Sequence, residues 1–235
     1  MVLMEVPRTE HATARDRPRP DAYIAPADGQ YRRTPEEEDE LRALEDLFWA
    51  LDLGPRHRVE LLEGRIQVSP KPAYWHERVV IWLIRGFDPV CQANGWEPTA
   101  GADLPLPPTG DIIEPDYLIV KDPDAFSNER SVVPSDQVLL VAEICSRSSL
   151  RADREVKPLS CAKAGIPFYL LVDRFAQPMS LTLMSQPSEN GYVRAERVTA
   201  GPGGGKLDIP APFEITIDAA TLPELLPWKV KSNRD

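Results

Sequence analysis

Glu143 stands in an otherwise apolar stretch, Val138–Cys145, and a charge at that point needs a reason. Read as a strand, the stretch puts Val138, Leu140, Ala142 and Ile144 on one face and Leu139, Val141, Glu143 and Cys145 on the other. Both faces are apolar apart from Glu143, which predicts a central strand covered on both sides. A lone carboxylate there costs on the order of several kcal/mol if it stays charged without partners. It must be protonated, paired, solvated at the strand's end, or bound to a cation. Asp116 opens a second strand, 116–120, behind Pro115, which biases Glu114 toward extended geometry. Two neighbouring strands that each present one carboxylate at the same end make a hard-oxygen site suited to Mg²⁺ or Mn²⁺. Taken singly, Glu143 reads equally well as a strand-end carboxylate reaching water, and Asp116 reads better as a turn aspartate.

Beyond Glu143 the local charge changes sign. Arg147, Arg151, Arg154, Lys157 and Lys163 face only Asp153 and Glu155 between positions 147 and 163. Such a patch attracts a phosphate-bearing substrate. The bland alternative is a solvated helix with internal pairs such as Asp153–Lys157 at i,i+4. The whole chain is acidic, with a formal charge of −10 over 235 residues, which disfavours non-specific nucleic-acid binding unless the charge is unevenly placed. Other motifs fail. The run Ala200–Leu207 is glycine-rich and ends in Lys206-Leu207, but it lacks the first glycine and the Ser/Thr of a phosphate-binding loop, so it is expected to be a flexible turn. His11, His57 and His76 are too scattered to suggest a metal cluster.

The segments Val59-Glu60-Leu61-Leu62-Glu63-Gly64-Arg65, Glu114-Pro115-Asp116, Val141-Ala142-Glu143-Ile144-Cys145-Ser146, Asp153-Arg154-Glu155-Val156-Lys157 and Ala164–Asp173 together resemble the Uma2 family of restriction-endonuclease-like proteins. Each motif is weak by itself; five in order at compatible spacing are fairly specific. The resemblance runs from about residue 35 to residue 185. It implies an α/β fold with a PD-(D/E)XK core, a mixed central β-sheet flanked by helices. It also implies that Asp116 and Glu143 are metal ligands with the Ile144 carbonyl as a third, that Glu60 is an accessory acid, and that Mg²⁺ or Mn²⁺ is the cofactor. Classical members carry lysine where Cys145 stands. The family supplies its lysine from the following helix, and Lys157 holds the matching place. Cys161 replaces the tyrosine usual four residues after that lysine. His76 falls where the family often has a histidine before its first long helix, in either a helix-capping or a catalytic role.

These side chains need elements to position them. Residues 1–33, rich in Pro, Arg and Asp, are expected to form a flexible arm, and 34–230 a single domain. Thr34, Pro35 and Glu37 are the N-cap, first residue and capping-box partner of a helix whose buried stripe is Leu41, Leu44, Leu47, Phe48 and Leu51. A short strand is predicted over 65–69 and a long helix from Tyr74 to about Ala93, with Val79, Val80, Leu83, Ile84 and Phe87 inward. Strands near 96–99, 103–106, 116–120 and 138–145 follow, then a helix over 151–164 and a strand over 168–172. Pro158 predicts a kink or restart, because proline inside a helix costs about 3 kcal/mol. Strands 179–184, 192–198 and 213–217 and a short terminal helix complete the reading.

Three well-separated cysteines, Cys91, Cys145 and Cys161, fit a reducing compartment, and the longest apolar runs are too short to span a bilayer. A cytoplasmic protein is expected. The resemblance then implies a metal-dependent endonuclease acting on DNA, with Arg147, Arg151 and Arg154 expected on substrate phosphates and a homodimer expected for two-strand cutting. The competing reading is a catalytically silent relative that serves as a binding or assembly module. The acidic charge and the Cys145 and Cys161 departures favour it.

Overall fold

The protein is described by a computed structural model that covers residues 33–54, 57–70, 74–125 and 131–224. The expected arm up to residue 32 and the terminal helix lie outside these residues. Helix α1 (Pro35–Ala50) starts as its sequence predicts: the Thr34 hydroxyl accepts from Glu37 N–H while the Glu37 carboxylate accepts from Thr34 N–H. Strands β1 (His57–Leu62) and β2 (Arg65–Pro70) form a hairpin, followed by helix α2 (Tyr74–Asn94). Short strands β3 (Glu97–Thr99), β4 (Leu104–Leu106), β5 (Asp111–Ile113) and β6 (Tyr117–Val120) come next. Strand β7 (Val138–Ile144), helix α3 (Lys157–Lys163), and strands β8 (Phe168–Asp173), β9 (Ser180–Ser188), β10 (Gly191–Thr199), β11 (Lys206–Ile209) and β12 (Ile215–Asp218) complete the order.

The central sheet has six strands in the order β10-β9-β8-β7-β6-β3 and is mixed, with β7 and β8 parallel and its other pairs antiparallel. As the sequence predicted, β7 is buried at every position. One face carries Leu140, Ala142 and Ile144 against Val79, Leu83 and Phe87 of α2. The other packs Val141 and Cys145 with Val156, Cys161 and Tyr169. Leu62, Leu104 and Ile113 join this second cluster, because a further sheet of order β2-β1-β5-β4 lies on that side. Strands β11 and β12 form a separate hairpin.

Several expectations are corrected here. Strands β1, β5 and β11 were not foreseen; β5 is three residues between Gly110 and Glu114, too short to show a period. The turn read into Ala200–Leu207 ends earlier, and Leu207 is buried in β11. Leu47, assigned to the buried stripe of α1, is 52% exposed. Helix α1 covers only the small sheet, through Phe48 with Leu41 and Leu44, so a narrow stripe suffices.

Two local devices matter for the site. The β1–β2 turn is Glu63-Gly64 with both residues at positive φ (51° and 68°), the twist a two-residue hairpin demands. The Glu63 N–H donates to Asp111 on β5, which fixes the turn to the neighbouring strand. Before α3, residues Ala152–Val156 make a π-helical turn in which Lys157 N–H donates to the Ala152 carbonyl. The next carbonyl, that of Asp153, would accept from position 158, and Pro158 has no N–H to give. The Tyr169 hydroxyl donates to it instead, at 2.8 Å. Pro158 thus sits near the start of α3, which restarts at Lys157 as the sequence predicted.

Phe87 is fully buried and packs edge-on to Phe213 and tilted against Tyr117. Phe87→Ala is expected to lower unfolding free energy by about 3–5 kcal/mol in urea denaturation, the usual cost of emptying a buried aromatic site.

Candidate functional site

Strands β6 and β7 are antiparallel with Tyr117 opposite Ala142, so Asp116 and Glu143 stand at the same end of the sheet. The segment Glu114-Pro115-Asp116 crosses from β5 in the small sheet to β6 in the central one. Strand β1, paired with β5, thereby brings Glu60 to the same end: its Oε1 accepts from Glu114 N–H at 3.1 Å. The π-turn then points Lys157 back at the sheet. Its Nζ lies 2.8 Å from Glu143 Oε1, 2.9 Å from Glu60 Oε1 and 3.4 Å from Asp153 Oδ1. Lysine suits this role, with three ammonium donors on a compact charge.

Asp116 is held from three sides. Its Oδ2 accepts from Ile144 N–H at 2.8 Å and is 2.7 Å from His76 Nε2, and its Oδ1 is 2.6 Å from an Arg58 guanidinium nitrogen. His76 is thus a hydrogen-bond partner of Asp116 from the first turn of α2. Arg58 precedes Glu60 by two residues on β1, which gives the two one strand face.

The electrostatics follow from burial. Glu60, Asp116, Glu143 and Asp153 are all buried, against the two permanent cations Arg58 and Lys157. Burial pushes the Glu143 carboxyl well above the usual range; Lys157 pulls it down, but Asp116, Asp153 and Glu60 push it further up. Asp153 is raised for the same first reason. For Asp116, burial also raises, yet Arg58, the His76 hydrogen bond and Lys157 outweigh it and hold the carboxyl below the ordinary range. Burial would strip Lys157 of its proton, and the surrounding acids Glu143, Glu60, Asp153 and Asp116 more than reverse this.

Asp116, Glu143, Ile144, Glu60 and Lys157, all singled out from the sequence, are thus brought together. Among the described residues, however, no group of three or more His, Cys, Asp or Glu side chains is arranged to hold a metal ion. The carboxylates face internal cations instead. The basic patch is dispersed. Arg151 makes a two-pronged pair with Glu63 (2.7 and 2.8 Å) and Arg154 pairs with Asp173, while Arg147 and Lys163 are exposed. The Asp153–Lys157 pair exists, but it is buried inside the cluster and is no surface contact. Arg58 and the part of Asp153 were missed. The i,i+2 spacing of Arg58 to Glu60 was a usable signal for the first; nothing local marked Asp153 as buried. Arg174, also unmarked, follows β8 with its guanidinium 5.3 Å from the Trp75 ring and 4.6 Å from that of Phe175. Cys145 and Cys161 are buried in the apolar cluster, where burial raises both thiols and keeps them protonated.

The profile of the Uma2 family, described as "Putative restriction endonuclease", matches residues 39–220. The chain belongs to the Uma2 family. A search of the curated proteins found no match. Among solved structures, the chain is similar to one described as "a putative nuclease belonging to DUF820" from Anabaena variabilis. The TM-score is 0.54 at 14% identity, over 73% of this chain and 90% of that one. At that identity the likeness is one of fold: a restriction-endonuclease-like α/β arrangement around a mixed sheet. Among the described residues of this Uma2 chain, no helix is long and apolar enough to cross a membrane.

Removing the Lys157 ammonium leaves three acids facing one another. Lys157→Met is expected to cost about 3–5 kcal/mol near pH 7, the scale for breaking a buried ion pair. Carboxyls whose folded pKa is raised stabilise the fold below their unfolded pKa and lose that contribution as pH rises through the folded value. The deficit of Lys157→Met against the parent should therefore shrink as pH falls toward about 4, near the ordinary glutamate pKa. Urea denaturation at pH 7 and pH 4.5 checks this; a gap that widens on acidification contradicts it.

Proposed function

We propose that the protein is a divalent-cation-dependent deoxyribonuclease that hydrolyses phosphodiester bonds. Asp116, Glu143 and the Ile144 carbonyl would be ligands, Glu60 an accessory acid and Lys157 the catalytic cation. The observation that carries the reading is the convergence of Asp116, Glu143, Glu60 and Lys157 from four separate elements on one strand end. The family description and the nuclease-like fold agree with it.

The donor set fits Mg²⁺ or Mn²⁺ on two grounds. All its side-chain donors are hard carboxylate oxygens, and Asp116 Oδ1 is buried without a hydrogen bond among the described residues, so it has lone pairs left for a cation. A bound divalent cation would supply Lewis acidity toward a phosphodiester oxygen and acidify attacking water. The chain's own groups do the rest. Lys157, held by Glu143 and Glu60, would offset charge developing on the scissile phosphate. His76 and the Ile144 N–H orient Asp116 so that its other oxygen faces the cluster.

Substrate phosphates would meet Arg147 directly, and Arg151 and Arg154 by exchange from Glu63 and Asp173. The Arg151–Glu63 pair is exposed and screened by water, so a phosphate can compete for it. This is how an acidic chain could still bind DNA, with affinity that falls as salt rises.

The test is nicking of supercoiled plasmid by the purified protein with Mg²⁺ or Mn²⁺. Glu143→Gln and Asp116→Asn should abolish cutting. Lys157→Ala, assayed below its own melting temperature, should lower it roughly 10²-fold or more, the scale of losing one electrostatic stabiliser. Cys145→Ala should be close to neutral. Cutting by Glu143→Gln at the parent's rate would remove this cluster as the site of cleavage, and no cutting by the parent with either cation would leave the binding-module reading in its place.

A further inference from the structure

Arg58 has no part in the ligand set above, yet it stands inside that set. Its guanidinium approaches Asp116 Oδ1 to 2.6 Å and Glu114 Oε1 to 3.8 Å, and it lies within electrostatic reach of Glu143 and Glu60. The contact with Asp116 is one of charge without direction: Oδ1 is fully buried and accepts no hydrogen bond among the described residues. A buried oxygen with unused lone pairs is poorly satisfied, even beside a cation. The two permanent cations of the cluster also differ in freedom. The Lys157 side chain is 1% exposed and divided among three carboxylates, whereas that of Arg58 is 14% exposed and has a way out to solvent.

We infer that Arg58 is the resident counter-cation of Asp116 Oδ1 and sets the cation affinity of the site, because a divalent ion must displace it to reach that oxygen. This rests on reading the cluster as a divalent-cation site. Two positive groups cannot share one buried oxygen without strong mutual repulsion. Cation binding therefore carries the cost of breaking the Arg58–Asp116 pair. The same exchange explains how a site built from ligand-type residues shows no preformed metal cage.

The experiment is calorimetric titration of Mn²⁺ into the parent, Arg58→Gln and Asp116→Asn. Removing the competitor should tighten Mn²⁺ binding by about tenfold or more in Arg58→Gln, as removing any self-blocked state raises apparent affinity. Asp116→Asn should lose binding. Equal or weaker binding by folded Arg58→Gln overturns the inference and leaves the cation site standing. No binding by the parent or by Arg58→Gln removes the cation site itself and this inference with it. A second measurement reads the parent cluster itself, with the conservative variant used for assignment alone. In the parent, the Arg58 Nε–Hε resonance, assigned by its absence in Arg58→Lys, should exchange faster with solvent at saturating Mg²⁺. Unchanged or slower exchange while Mg²⁺ binds overturns the inference even if Arg58→Gln does not fold.

Discussion

The buried ammonium of Lys157 is the contact on which the site depends. Ion pairs hidden from water seldom add stability, because desolvating both partners costs about as much as their attraction returns. What such a pair does impose is geometry: Glu60 from β1, Glu143 from β7 and Asp153 from the π-turn must all stay within reach of one nitrogen. Two sheets and a helix are fastened at that point. Any other packing of the small sheet would leave a bare charge in the interior, which is far more costly than a poorly filled apolar contact.

The supporting bonds run in the same direction. Asp111 on β5 accepts from the Glu63 N–H of the β1–β2 turn and from the Ser160 hydroxyl of α3. Glu114 N–H, in the crossing between the sheets, donates to Glu60. Asp116 then takes the Ile144 N–H at the end of β7. Each step ties the small sheet to the edge where β7 ends. The edge that carries the carboxylates is thus the seam along which the two sheets are joined, so a change at the seam reaches them directly.

Much of this was legible in the sequence, for identifiable reasons. Glu143 was conspicuous because it interrupts an apolar strand, and the central position of β7 followed from the same pattern. Asp116 was legible through its proline neighbour. Glu60 and Lys157 were not legible from local pattern; their assignment came from the resemblance, since nothing in β1 or α3 alone says that these charges are buried. The basic residues after Glu143 were legible as a charge excess but not as pairs. Glu63 and Asp173, which take up Arg151 and Arg154, lie 88 and 19 residues away along the chain. Long-range partners leave no periodic trace. Strands as short as β5 are similarly silent, because three residues cannot display an alternation.

The π-turn at Ala152–Val156 places five residues where an ordinary helix would need about one fewer, and the chain keeps its path because Tyr169 accepts the role that Pro158 cannot fill. Such a turn behaves as an inserted residue within a helix. Loss of one residue between Ala152 and Val156 would restore regular winding and leave the turn no spare carbonyl for the Tyr169 hydroxyl. The five-residue turn is thus one extra residue accommodated locally, at the point where Pro158 leaves a carbonyl without a helical donor and Tyr169 supplies one.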